Sequence, residues 1–481
     1  MKLARLTAAL TMTAAAFSIQ AAPPPMMITG GEAFHPSPAG CLDEIKSGLL
    51  HSANVLGSLC GLRPFLGEYG ISLGLAETSE VLGNVTGGTR RGFDYEGLTT
   101  LVLQLDTQRA FGWYGGTLNI SGLQIHGRNL SADNLQTLQT ASGIEADRGT
   151  RLWELWYDQR FGQENRFDVK VGQQSLDQEW MVSYNSLYFV NTMFGWPMLP
   201  SADLPGGGPA YPLSVIGVRL RARPSDAWTI LAGVYNGSPV ANNTGDPQQQ
   251  NPHGTSFPLH GGTLAILEAQ YAYPNLGTML YANEPEPLAH VYKVGVWYDS
   301  ENFADQEFDN TGLSLANPAS TGVPQEHHGD WAVYAVADQL IWQSPEEPDR
   351  TVNVFFRPMC TPLADRNQID FSMNAGITVH EPFMHRDDDT FGLGVGYAHV
   401  SSRDAAFDRD TAFFTGTPMP VRSGETFIEA TYQYQATPWL QLQPDLQYVF
   451  NPGAGLQDPN AAPGQRIKNE TVLGLRANIA F

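Results

Sequence analysis

The last eleven residues decide the fold: Thr471-Val-Leu-Gly-Leu-Arg-Ala-Asn-Ile-Ala-Phe481. Leu473, Leu475, Ala477, Ile479 and Phe481 alternate with Gly474, Arg476, Asn478 and Ala480. Successive side chains of a strand point to opposite faces, so this segment has one apolar and one mostly polar or small face. The same alternation precedes it. Leu440, Leu442, Leu446, Tyr448 and Phe450 are interleaved with Gln441, Gln443, Asp445 and Gln447, and Ile428, Ala430, Tyr432 and Tyr434 with Glu429, Thr431, Gln433 and Gln435.

A soluble sandwich also alternates, so length and spacing must decide. These segments run about 9–12 residues, longer than the roughly 5–6 of soluble sheets and matched to tilted membrane strands. Their connections alternate short and long. Ala436–Pro438, Gly162–Asn165 and Pro224–Asp226 are tight, whereas Ser175–Pro212, Gly237–Gly261, Glu301–Gly329 and Arg403–Gly424 are long and rich in Gly, Pro, Asn and Asp. A transmembrane barrel has short periplasmic turns and long external loops in alternation. Strands are expected to start near 70, 98, 116, 151, 166, 213, 227, 263, 290, 331, 351, 368, 390, 425, 439 and 471. The expected fold is therefore all-β, a 16-stranded antiparallel outer-membrane barrel with both ends periplasmic, wide enough to hold water. Trp153, Tyr157, Trp297, Trp331, Trp342, Tyr397, Tyr432, Tyr434, Trp439, Tyr448 and Phe481 fall mostly near strand ends, as membrane-boundary aromatics do.

Composition agrees. Of 481 residues only 16% are charged, while Gly numbers 49 and Pro 33. Lys+Arg 27 against Asp+Glu 49 leaves a net charge of −22, which disfavours nucleic acid or an anionic lipid surface as partner. No mature segment offers the roughly 20 apolar residues of a spanning helix. Met1 to about Ala22, with Lys2, Arg5 and an apolar run from Leu6 to Ile19, reads as a secretory signal peptide. The expected organisation is a leader over 1–22, a partly helical periplasmic segment over 23–68 and the barrel over 69–481. In an oxidising compartment Cys41 and Cys60 are a possible disulfide around the amphipathic Leu42–Leu59 stretch, the alternative being two buried thiols. Cys360 stands alone.

Apolar residues turned to lipid fix what faces the lumen. Trp153, Leu155 and Tyr157 outward place Glu154, Trp156 and Asp158 inward; Phe167, Val169 and Val171 outward place Asp168 and Lys170 inward. Val218, Leu220 and Ala222 outward make Arg219, Arg221 and Arg223 an inward ladder, since the reverse register would put arginines into lipid at about 2–4 kcal/mol each. Arg357, Glu429 and Arg476 are further inward candidates. The long Ser175–Pro212 connection carries Asp177, Glu179, Trp180, Asn185, Asn191 and Trp196. It either folds into the barrel as a constriction, to which Trp180 and Trp196 contribute, or forms an external lid or subunit contact. Arg90 and Arg91 are placed at the pore mouth.

Other motifs fail on context. Gly70-Ile-Ser-Leu-Gly74 lies on an alternating strand rather than a strand-to-helix elbow. His380-Glu381 with His385 has one residue too many for a zinc helix and contains Pro382. His327-His328 is a lone loop pair, and Asp387–Asp389 lacks a calcium-loop register. No phosphate-binding glycine loop, CxxC or coupling domain is present, so no cofactor, metal or catalytic residue is expected.

The chain resembles a carbohydrate-selective porin of the OprB type over nearly all of the mature sequence. The likeness is carried by Gly61-Leu62-Arg63, Tyr69-Gly70-Ile71, Asn84 through Gly88, Glu154-Leu-Trp-Tyr-Asp-Gln159 and Val171-Gly-Gln173. It continues through Phe194-Gly-Trp-Pro197, Gly208-Pro-Ala-Tyr-Pro212, Gly217-Val-Arg-Leu-Arg221, Asp365-Arg-Asn367 and Leu442-Gln-Pro-Asp-Leu-Gln-Tyr-Val449. The terminal Phe481 likewise resembles the end of bacterial outer-membrane barrels. The resemblance implies facilitated diffusion of glucose and other small sugars through a sixteen-stranded barrel, with a helical segment before it. A general or anion-passing porin is the alternative within the same fold. The oligomeric state, monomer or homotrimer, stays open.

Overall fold

The computed structural model describes residues 53–241, 245–273, 289–384 and 386–481. The leader, Cys41 and His385 lie outside the described residues, as does most of the segment before the barrel. Sixteen strands close into one barrel in sequence order. They are β1 (Ile71–Thr86), β2 (Gly92–Asp106), β3 (Gly116–Gly127), β4 (Gly149–Phe161), β5 (Phe167–Gln174), β6 (Val215–Ala222), β7 (Trp228–Asn236) and β8 (Thr263–Tyr273). The second half is β9 (His290–Asp309), β10 (Pro324–Gln343), β11 (Thr351–Cys360), β12 (Ile369–His380), β13 (Thr390–Val400), β14 (Gly424–Thr437), β15 (Leu440–Phe450) and β16 (Glu470–Ala480). Neighbours pair antiparallel, and β1 pairs with β16 from Ala76–Ala480 to Thr86–Thr471. Closure removes every free sheet edge, the condition for a sheet to stand in hydrocarbon.

The alternation sets the faces. Val171 opposes Val218, which opposes Val234, and all three are exposed on the outside. Lys170 opposes Arg219 one residue along, on the inside. Most strands begin within two residues of the sequence expectation. The exceptions are β2 and β10, which start earlier, at Gly92 and Pro324. The hydrogen-bonded ladder of β9 and β10 also runs on into the stretch expected to be a loop from Glu301 to Gly329. There polar side chains such as Asn302, Gln306 and Glu326 leave no apolar alternation to read.

Three other expectations are corrected. A register shift at Ser121/Gly122 turns Trp153 inward, where its ring meets Tyr211 edge-on at 6.3 Å. Trp297 also faces inward and is buried. Residues Ser402–Thr415 form a helix rather than an irregular loop, with the Ser401 hydroxyl accepting from Asp404 N and Gly416 closing it at φ 64°. At the turn end, helix Leu62–Glu68 precedes the barrel, and Arg63 donates to the carbonyls of Gly57 and Phe481. Cys60 is disulfide-bonded and Cys360 is an exposed free thiol.

The main apolar core lies inside the cylinder. Residues 175–214 fold back into the lumen and pack against the wall. Trp180, Met181, Phe189, Met193, Phe194, Trp196 and Leu199 from this loop pack against Leu231, Trp297, Tyr334, Phe355 and Phe427 of the wall. The wall is thinned to receive them. On β13 a Cβ at Gly394 would stand 2.5 Å from the Phe194 ring, and one at Gly392 2.9 Å from Phe189. Residues 128–148 insert beside them: Gly143 N donates to Val190 O and Thr192 N to Thr140 O.

Candidate functional site in the lumen

The inserted loop is held by charged side chains whose placement follows from strand periodicity. Arg357 of β11 donates to the carbonyls of Met181 and Gly195 at 2.9 Å, of Phe194 at 3.1 Å and of Met193 at 2.5 Å. Glu429 of β14 accepts from Val190 N at 2.6 Å and Asn191 N at 2.9 Å. Asp338 accepts from Ser183 Oγ and Asn185 N, Glu268 from Met181 N, and Lys293 donates to Val182 O. Irregular backbone has many unpaired N–H and C=O groups, and the wall supplies the partners they need. Arg357 and Glu429 therefore face inward as expected but do not line water, being 0% exposed beneath the loop.

The remaining polar wall is the inner face of β4, β5 and β6 with one side chain from the loop. Register brings Asp158, Lys170 and Arg219 into one cross-strand row and Arg160, Asp168 and Arg221 into the next. Asp168 pairs with Arg219 and, at 2.5 Å, with Arg221. Glu179 reaches from the loop to Lys170 at 2.8 Å and Arg219 at 2.9 Å. The Lys170 ammonium stands 4.9 Å over the Trp156 ring, and Lys293 4.7 Å over that of Tyr184. Five cations, Arg160, Lys170, Arg219, Arg221 and Arg223, thus meet four carboxylates, Glu154, Asp158, Asp168 and Glu179. Arg223, just past the end of β6, is held below its ordinary pKa by burial and then by Arg221 and Arg160.

Burial divides this wall into two layers. Arg219, Asp158 and Asp168 are buried and hold the others, while the side chains of Lys170, Glu179, Arg221 and Arg160 are 15%, 18%, 23% and 48% exposed. Glu154 is partly exposed and accepts from Ser175 N at 3.1 Å, so it positions the loop's start. Asp177 is buried and accepts from Ser175 Oγ and Tyr211 N. Trp180 and Trp196, expected at the constriction surface, are buried, their indole N–H groups donating to Tyr235 Oη and Gly207 O. Arg90 and Arg91 are exposed at the loop rim, where Arg90 Nε donates to Asn134 Oδ1 at 2.8 Å. Arg476 is buried and paired with Glu80 at 2.8 Å. Tyr184, Lys293, Asp338 and Glu268 were missed by the sequence reading. Period 2 marks Lys293, Asp338 and Glu268 as inward, and the alternate glycines of β13 mark a wall that something fills.

The two layers respond differently to truncation. Arg221→Ala should leave the barrel's thermal unfolding unchanged. Arg219→Ala strips Asp168 and Glu179 of a buried partner, at about 3–5 kcal/mol for a broken buried pair, and should lower the midpoint visibly. Equal thermal profiles for the two variants would contradict the layering.

Compared with known proteins, residues 90–481 match the family described as carbohydrate-selective porin, OprB family. Among curated proteins the chain is 25% identical over 448 residues to Porin B of Pseudomonas aeruginosa, covering 87% of this chain and 91% of that one. It is 22% identical over 427 residues to the putative porin QuiX of Acinetobacter baylyi, covering 85% and 90%. Among solved structures it superposes on the high-pH structure of Pseudomonas putida OprB with a TM-score of 0.77 at 22% identity, covering 90% of this chain and 99% of that one.

Proposed function

The chain belongs to the carbohydrate-selective porin family, OprB, and from that membership we propose how its lumen passes small sugars. It is an outer-membrane barrel through which carbohydrates diffuse passively. The observation that carries the site assignment is the partly exposed pair of Lys170 and Arg221 on the wall, with Glu179 reaching Lys170 from the inserted loop. A sugar is neutral, rich in hydroxyls and has an apolar C–H face. Charged groups with spare hydrogen-bonding capacity replace its hydration, and the neighbouring Trp156 and Tyr184 rings offer surfaces for the C–H face. Because acids and bases nearly balance along this wall, it offers many donors and acceptors without a strong field for either sign of ion. Conduction also requires weak binding, so affinity is expected near millimolar. Diffusion needs no bond-making step, and we assign the chain no enzymatic activity.

A general or anion-passing porin is the second reading, favoured by the one-charge excess of cations on the wall. Proteoliposome swelling separates them. Glucose should enter faster than an amino acid or a small organic acid of similar size. Equal rates would identify a general porin, and faster entry of the acid an anion channel.

A further inference from the structure

We propose that the inner wall of β14, β15, β16 and β1 holds a second, uncharged sugar subsite on the turn side of the inserted loop, a proposal that rests on the sugar-passing reading. Its rim is the cross-strand row Gln435, Gln441, Asn478 and Thr78. Its floor is Ala76 and Ala480, which oppose one another on β1 and β16, with Gly74 beside them on β1. The positions on β1 and β16 have the parity of Glu80 and Arg476, whose side chains meet Ser142 of an inserted loop, so they face the lumen. Gln435 and Gln441 likewise have the parity of Glu429 and Gln443, which bond to the insert. All seven are partly exposed.

The rim is a chain of neutral groups with bonding capacity to spare. Thr78 Oγ1 donates to Asn478 Oδ1 at 2.9 Å, and Asn478 Nδ2 to Gln441 Oε1 at 3.0 Å. Gln441 Nε2 then stands 3.4 Å from both Gln433 Oε1 and Gln435 Oε1, a weak hold on either. A primary amide has two N–H groups and two carbonyl lone pairs, and Asn478 spends one of each here. The insert bounds the recess on the loop side, where Tyr188 O accepts from Gln443 Nε2 at 2.8 Å and from Gln433 Nε2 at 3.3 Å. Gln443 is covered there, whereas Gln441, one inward position nearer the turn, stays partly exposed.

The next inward residues toward the loop end on β1 and β16, Glu80 and Arg476, are buried and paired with each other at 2.8 Å. β2 and β3 separate the recess from the charged face of β4, β5 and β6. A sugar hydroxyl both donates and accepts, and so does an amide, so the rim answers a hydroxyl whichever way it points. The methyl and methylene floor takes the C–H face of the ring. Neighbouring strands about 4.8 Å apart let one ring meet side chains from two of them. Neutral hydrogen bonds are about half as strong as charge-assisted ones, so a sugar that has left the charged row is held here loosely enough to move on. An ion finds no counter-charge on this wall. The two walls therefore differ in what they sort: the charged face acts on ions and sugars, the recess on sugars alone.

The test uses two variants that act independently, so either one decides. Gln441→Leu with Asn478→Leu removes the rim's hydrogen bonding at similar volume, and Ala76→Leu fills the floor while leaving every rim group in place. In planar bilayers each should raise the glucose concentration that half-blocks the ion current about fivefold. The reversal potential in a salt gradient should stay at the parent protein's value, which a change in the charged wall would not allow. In proteoliposomes glycine, too small to span floor and rim together, should enter at the parent's rate. Unchanged glucose block, a shifted reversal potential, or glycine entry altered as much as glucose block would each overturn the subsite. A parent channel that glucose does not block would overturn the transport reading and the subsite with it. A blocked parent with equally blocked variants would overturn the subsite alone.

Discussion

Replacing Arg357 with alanine should turn the channel into a wider, unselective one. In planar bilayers its single-channel conductance is expected to rise severalfold, and glucose should no longer block ion current. The guanidinium is fully buried and serves four loop carbonyls and Asn374 Oδ1. Alanine removes the donor from the Met181, Met193 and Gly195 carbonyls, at about 1–3 kcal/mol for each group left unsatisfied, while Phe194 O keeps Ser186 Oγ at 2.6 Å. The other anchors on this stretch, Glu268 at Met181 N, Lys293 at Val182, Asp338 at Ser183 and Asn185 and Glu429 at Val190 and Asn191, serve other groups and do not replace the donors Arg357 supplies. The barrel's hydrogen-bonded ladders do not pass through Arg357's side chain, so the cylinder should survive the loss of its insert. Arg357→Lys, which keeps the charge but not the planar fork, should fall between the two. A conductance equal to the parent protein's in Arg357→Ala would refute the anchoring role.

The second large effect concerns Glu179, the carboxylate the loop sends to the charged face of β4, β5 and β6. Glu179→Gln keeps shape and removes charge, so Lys170 and Arg219 lose a shared counter-ion. Five cations then face three carboxylates. Reversal potentials in a salt gradient should move toward anion selectivity, and glucose block should weaken about tenfold, close to 1.4 kcal/mol. Hydrogen bonds to charged groups contribute about 1.5–3 kcal/mol, which makes a shift of this size reasonable for one lost acceptor. An unaltered reversal potential would remove Glu179 from the constriction.

Much of this molecule is legible in its sequence because a membrane barrel is built from one repeated rule. The inward positions of Lys170, Arg219 and Arg357 all follow from an outward apolar neighbour. What the rule cannot say is what stands in front of an inward residue. Arg357 and Glu429 read the same as Lys170 and Arg221, yet the first pair is covered by a returning loop and the second meets water. The difference depends on pairing between residues far apart in the chain, such as Glu429 with Val190. Local irregularities escape for another reason. One shifted residue opposite Ser121 and Gly122 is enough to turn Trp153 around, and nothing in its neighbours announces the shift. The helix Ser402–Thr415 did carry a cue, Ser401 three residues ahead of Asp404, that a strand-only reading passed over.

The pairing of the first strand with the last has a consequence for biogenesis. Ala76 meets Ala480 and Glu80 meets Arg476, near opposite ends of the polypeptide. Until synthesis is finished and β16 arrives, the ribbon therefore has two live edges offering unpaired N–H and C=O groups to any other chain. Closure is the slowest kind of contact to form, because it joins the most distant partners last. A nascent or truncated chain has no way to hide those edges itself, so the interval before sealing is when aggregation competes and when escort to the membrane matters most.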